Sequence, residues 1–180
     1  MGSQRAFLPC RLVMGLLIQH ASILPSIFDE LQKLFGPVLE QSELCPFTFT
    51  NYYDEEMGAK PLRLYLSFAK LVDPSSLALL KHQTNHLEDR YRFQGRRTIN
   101  LDPGLLSLSN LILATTKGRA HRIPLSDGIY AELTLLFAQQ EFQILPWTYA
   151  DYQSETVRSL FFRWRQTYHQ QLKREGYLLP

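Results

Sequence analysis

The run CRLVMGLLIQ, Cys10 to Gln19, constrains the fold more than any other stretch of the chain. A strand with one wet face alternates apolar and polar residues, whereas a strand covered on both faces reads as a nearly continuous apolar run. This run shows no alternation, so it is expected to be a core strand covered on both sides. Its apolar heart, Leu12 to Ile18, is far shorter than the roughly 20 residues needed to span a bilayer. Gln19 and His20 stand where a secretory leader would need small residues, although Arg5 and Arg11 precede the run.

A helix is expected next, with Pro25 in its first turn and Ile27, Phe28, Leu31, Leu34 and Phe35 on one stripe, ending at Gly36 and Pro37. Residues 44–50 and 62–68 read as half-buried strands. Phe47 and Phe49 alternate with threonines, and Leu62, Leu64, Leu66 and Phe68 alternate with Arg63, Tyr65 and Ser67. Residues 51–61 between them read as a long hairpin loop. Asp73 caps a second helix with Pro74 in its first turn, and Leu77, Leu80, Thr84, Leu87 and Tyr91 form its buried face. Gly95 closes that passage. Thr98 to Leu101 reads as a short strand running into Asp102-Pro103-Gly104, whose proline and glycine suit a type II turn.

The succession βαββαβ is that of the ferredoxin-like unit, in which two helices pack on one face of a four-stranded antiparallel sheet. Residues 105–117 fit neither the helical nor the strand period. Beyond them, residues 121–125 and 129–137 form a hairpin around the Ser126-Asp127-Gly128 turn, and residues 142–145 add a strand. A final helix from Ser154 to about Lys173 buries Val157, Leu160, Phe161, Trp164 and Tyr168. The expectation is one α+β domain over residues 1–180: a ferredoxin-like unit with a C-terminal antiparallel hairpin extension and a terminal helix. Two cysteines, Cys10 and Cys45, make neither a metal set nor a disulfide framework, which fits a reducing cytoplasm.

Charge is unevenly placed. Residues 90–122 hold seven Lys and Arg against the single acid Asp102, a local net of +6 in a chain whose net charge is +2. Such a concentration attracts phosphates through its field and through guanidinium contacts. Part of it also suits a helix end, since Arg90 and Arg92 fall where cations favour the helix dipole.

The phrases NLDPG at 100–104, LATTK at 113–117, HRI at 121–123, GIYAELTL at 128–135 and PWTYADY at 146–152 resemble the prokaryotic family described as domain of unknown function 4416. The resemblance covers nearly the whole chain. It implies one bacterial or archaeal cytoplasmic domain and brings no activity or catalytic residues with it. Ala150 stands where the family's phrase is expected to have a second proline. Some members carry the label "GTP-binding protein", yet this sequence has no GxxxxGK[ST] phosphate loop.

Three functional classes follow. The first is a binding module for a phosphorylated ligand, a nucleotide or RNA, with Arg96, Arg97, Lys117 and Arg122 as contacts. The RNP phrases of RNA-recognition domains are missing from its strands. The second is a metal-assisted enzyme acting on a phosphate-containing small molecule. Asp102 and Glu132 are its candidate ligands for a divalent ion such as magnesium, and Arg97, Lys117 and Arg122 its clamps. The third is an interaction module without a ligand site. His121 beside Arg122 is a candidate general acid or base. Each candidate has a plain structural rival: Asp102 as a turn residue, Glu132 facing solvent, His121 as a surface residue. His82 and His86 have metal-ligand spacing on one helix face, but no further ligand accompanies them. The three aromatics of PWTYADY can stack bases or staple the last helix to the sheet.

Overall fold

The computed structural model describes residue 3, residues 5–50, residue 57 and residues 61–179. The hairpin loop expected over 51–61 lies, apart from residues 57 and 61, outside the described residues. Among the described residues, an antiparallel sheet joins nine strands, and four α-helices pack on it. The apolar run Cys10–Ile18 forms β1, buried at all nine positions. It lies between β4 (Leu62–Val72) and β7 (Ile99–Leu106), antiparallel to both. β2 (Val38–Gln41) and β3 (Cys45–Pro46) pair with the far side of β4. On the other flank β7 pairs with β8 (Asn110–Thr115), β8 with β10 (Tyr130–Ala138), and β10 with both β9 (Ile123–Pro124) and β11 (Glu141–Ile144).

The apolar run is continuous because each face of β1 meets a different layer. Leu12, Met14, Leu16 and Ile18 pack in one cluster with Ile27, Leu31 and Phe35 of α1 (Leu24–Phe35) and with Leu77, Leu80 and Leu87 of α2 (Leu77–Arg90). Val13 points the other way, into a cluster with Leu160, Phe161 and Trp164 of the C-terminal helix α4 (Glu155–Arg174). Leu17 on that second face packs with Phe47 and Met57. Asp73 caps the short 3-10 turn Pro74–Ser76 that leads into α2 rather than α2 itself, and Ser154 caps α4. Asp73 accepts from the Ser75 N–H at 2.8 Å ahead of α2, and Ser154 accepts from Val157 N–H at the start of α4. Gly36 ends α1 at φ 87°, where a side chain would be strained.

Coverage of the second face corrects the reading of β4 as half-buried. Arg63, Tyr65 and Ser67 alternate with leucines but are 5 %, 3 % and 0 % exposed. Of residues 44–50 only Cys45 and Pro46 pair, and the outer strand is formed instead by Val38–Gln41. Residues 105–117 resolve into the end of β7 and the whole of β8, a hairpin turned at 107–109. Of residues 121–125 only Ile123 and Pro124 pair. The two-residue turn that follows has Asp127 at φ 53° and Gly128 at φ 76°, as a tight hairpin demands. Gln94 and Gly95 do the same between β5 (Arg92–Phe93) and β6 (Arg96–Arg97).

The largest local correction concerns Asp102-Pro103-Gly104. It is not a turn but part of β7, with Asp102, Pro103 and Gly104 opposite Gly15, Met14 and Val13 of β1. Local turn chemistry is overridden by a full-length ladder to β1. On its other side β7 pairs with β8 only from Gly104 to Leu106, so Pro103, which has no N–H, is the first residue past that ladder. Gly104 is required by close approach: a Cβ there would lie 2.6 Å from Leu113 Cδ2 and 3.0 Å from the Ile112 carbonyl. No described helix is long and apolar enough to cross a membrane.

Candidate functional site

Where β7 and β8 stop pairing, a cavity of about 590 Å³ opens, lined by Asn100 and Asp102 from β7 and by residues 113–117 along and just beyond β8. The proline of NLDPG thus marks the point at which the sheet splits, and the aspartate before it forms part of the cavity floor.

The inner end is a charged network carried by four elements, β4, α2, β7 and the short helix before α4. Arg63 of β4 donates through Nε to Asp151 Oδ2 at 3.0 Å and also through Nη2 to the same oxygen. Tyr65 donates its hydroxyl to that oxygen at 2.6 Å. Asp151 reaches this position from α3 (Ala150–Gln153), and it is 4 % exposed. Burial opposes the Arg63 charge, but Tyr65, Asp151, Tyr152 and Asp102 outweigh it, so the guanidinium is held more firmly than usual. Lys81 of α2, also buried, donates Nζ to the Leu101 carbonyl at 2.7 Å and sits 3.5 Å from Asp102 Oδ1 and 3.7 Å from Glu88 Oε1. Asn100 Nδ2 donates to Asp102 Oδ2 at 2.8 Å. Burial pushes the Glu88 carboxyl up, while Lys81, the Leu101 N–H at 2.7 Å and Arg97 pull it back.

A second wall comes from the hairpin and the segment after β11. Glu132 of β10 is 1 % exposed, and its Oε2 accepts from Arg122 Nε and lies 3.2 Å from His121 Nε2. Arg122 donates its other nitrogens to the Lys117 carbonyl and to the Tyr149 hydroxyl, the latter at 2.8 Å. Burial, and then the nearby Glu132, push the Tyr149 phenol up. The His121 ring stacks on Trp147 with centroids 4.8 Å apart and planes 11° apart, and Trp147 donates its indole N–H to the Leu133 carbonyl. The PWTYADY segment therefore does two things. Tyr152 packs in the core under α4, while Trp147 and Tyr149 line the cavity.

Of the residues singled out in the sequence, Arg97, Asp102, Lys117, His121 and Arg122 line this one cavity. Glu132 lies behind its wall, bonded to two of them. Arg96 is exposed and lies outside it. The +6 segment is largely matched by acids from elsewhere: Arg90 by Glu30 at 2.7 Å, Arg92 by Asp89 and Arg97 by Glu88 at 2.9 Å each, and Arg122 by Glu132. Asp102 and Glu132 each serve separate cation networks, which weakens them as joint metal ligands. Among the described residues no group of three His, Cys, Asp or Glu side chains is placed to hold a metal. His82 is half-buried and His86 exposed.

Sequence reasoning missed Arg63, Lys81 and Asp151. Arg63 and Asp151 carried no local signal. Lys81 and Glu88 did: they fall four and eleven residues after Leu77, on the same helix stripe as the leucines, where an unpaired charge would be costly.

Residues 8–168 match the family described as domain of unknown function (DUF4416). The chain belongs to that family. The match takes in every element of the DUF4416 sheet and both walls of the cavity. No curated protein and no solved structure matches this DUF4416 chain.

Proposed function

We propose that this DUF4416 protein binds a phosphorylated small molecule of nucleotide size in the cavity between β7 and β8. The observation that carries this reading is the meeting of Arg97, Lys117 and Arg119 with the aromatic surfaces of Phe49 and Trp147 around one concavity. A phosphate takes charge-assisted hydrogen bonds from such cations, and a flat ring takes the aromatic faces. We also read the order β7-β1-β4-β2, with α1 and α2 on one face, as a ferredoxin-like unit within a single domain. RNA-recognition domains with that unit leave the opposite sheet face open to bases, whereas here α4 packs on it, which favours a small ligand over RNA. A cytoplasmic site of action and a magnesium ion accompanying a polyphosphate belong to the same reading.

The test is calorimetric titration of the full chain with pyrophosphate, GMP and GTP, each with and without magnesium, and with a single-stranded RNA. Arg119→Glu is expected to weaken pyrophosphate binding at least about tenfold, since a charge-assisted contact is worth on the order of 1.5–3 kcal/mol. Arg96→Glu and Arg163→Glu make the same charge change outside the cavity and should alter binding less than about twofold. Equal losses from all three variants reject the cavity as the binding site, and tight binding of RNA alone rejects the small-ligand reading.

A further inference from the structure

Resting on the phosphate-binding reading, we propose that His121 is the general base of the cavity, held by Glu132 for hydrolysis of a bound phosphate ester. His121 has two ring nitrogens, and Nε2 lies 3.2 Å from Glu132 Oε2. A carboxylate only accepts hydrogen bonds, so Nε2 carries a proton, and in the neutral form of the ring Nδ1 is the nitrogen with the lone pair. Nδ1 has no hydrogen-bond partner among the described residues, and the ring lines the cavity. Arg122 already matches the Glu132 charge, so the carboxylate fixes the tautomer without requiring a charged imidazole. Stacking on Trp147 fixes the ring plane. The charged and titratable groups around the ring are Glu132, Arg122 and Tyr149 behind and beside it, with Lys117 and Arg119 on the same cavity.

This arrangement supplies what hydrolysis of a phosphate ester needs: cations to neutralise the phosphate and a positioned proton acceptor. Water attacks phosphorus, and its oxygen forms the new P–O bond while its proton passes to Nδ1. The bond from phosphorus to the ester oxygen breaks on the side opposite the attacking water, the released alkoxide takes a proton from solvent, and the imidazolium returns its proton to solvent, which restores neutral His121. With an aryl ester the phenolate leaves unprotonated and the imidazolium returns its proton to solvent.

The experiment has two arms on the full chain. In the first, ¹⁵N NMR of the unliganded protein reads the His121 tautomer. Protonated Nε2 with unprotonated Nδ1 is expected, and the opposite tautomer overturns the proposal. In the second, turnover of p-nitrophenyl phosphate and bis(p-nitrophenyl) phosphate is followed against pH. His121→Asn should lower kcat by about 100-fold or more with KM little changed. Glu132→Gln should lower kcat about tenfold and shift the pH profile, and Glu132→Asp should restore part of the rate. Hydrolysis that is unaffected by His121→Asn, or no hydrolysis by a protein that binds pyrophosphate, overturns the base while leaving the binding reading intact. Failure to bind pyrophosphate removes both.

Discussion

Two buried arginine–carboxylate pairs flank the cavity, and their surroundings differ. Arg63–Asp151 is closed: the carboxylate takes two guanidinium nitrogens and the Tyr65 hydroxyl, both ionic side chains are about 5 % exposed, and the pair ties β4 to α3. Arg122–Glu132 is shared: the same carboxylate oxygen also meets a half-buried histidine, and Arg122 keeps two further acceptors of its own. In the closed pair both side chains hold β4 to α3, although Arg63 Nη1 has no hydrogen-bond partner among the described residues and lies 4.0 Å from Asp102 at the inner end of the cavity. The shared pair carries His121, whose ring lines the cavity. Like chemistry therefore ties a strand to a helix at one wall and holds a cavity-lining histidine at the other.

The difference can be broken first at Asp151. Asp151→Ala leaves the Arg63 charge buried and the Tyr65 hydroxyl without its acceptor, so stability should fall by about 3–5 kcal/mol in urea unfolding. A loss below about 1 kcal/mol would mean that Asp102, 4.0 Å from Arg63 Nη1, can take over the pairing. Glu132→Ala should cost less, about 1–3 kcal/mol, because Arg122 retains the Lys117 carbonyl and the Tyr149 hydroxyl and borders the cavity. If the two variants cost the same, the shared pair is as structural as the closed one.

The smallest effect is in alkali. Burial raises the pKa of both Tyr65 and Tyr149 above the ordinary value of about 10. A phenol raised in the folded state stabilises fully below pH 10, and its contribution is lost as pH rises through the folded value, because the unfolded chain releases its proton first. Stability measured from pH 10 upward should therefore decline with pH. Tyr65→Phe and Tyr149→Phe should each flatten that decline, Tyr65→Phe the more strongly of the two. An unchanged slope in Tyr65→Phe would show that its ionisation is not coupled to folding.

The layers were legible where a pattern was long. The uninterrupted apolar run of β1 required cover on both faces, and the stripes of α1, α2 and α4 supplied the covering helices. Arg63 was lost because alternation along β4 assigned its polar side to water, although the apolar stripe of α4 had to pack somewhere and packs there. Asp102-Pro103-Gly104 misled because turn preference is local, while the ladder that holds these residues extended is made with β1, some 90 residues earlier. The basic segment was visible as a count, but Glu30, Glu88 and Glu132, which answer three of its arginines, come from three different elements. Which charges meet is a property of the folded topology, and local counting does not contain it.

The covering of the second sheet face by α4 also sets an order of events during synthesis. Every strand has left the ribosome once residue 144 has, but the side bearing Val13, Tyr65, Leu111, Leu135 and Phe142 stays bare until residues 155–174 follow. A nascent chain halted between these points carries a finished sheet with one greasy wall, the kind of surface that chaperones hold and that sticks to other unfinished chains. Ribosome-bound chains carrying a C-terminal tether that exposes residues up to about 150 outside the tunnel should accordingly bind hydrophobic dyes and be captured by holdases, and chains whose tether is long enough to free α4 should do neither.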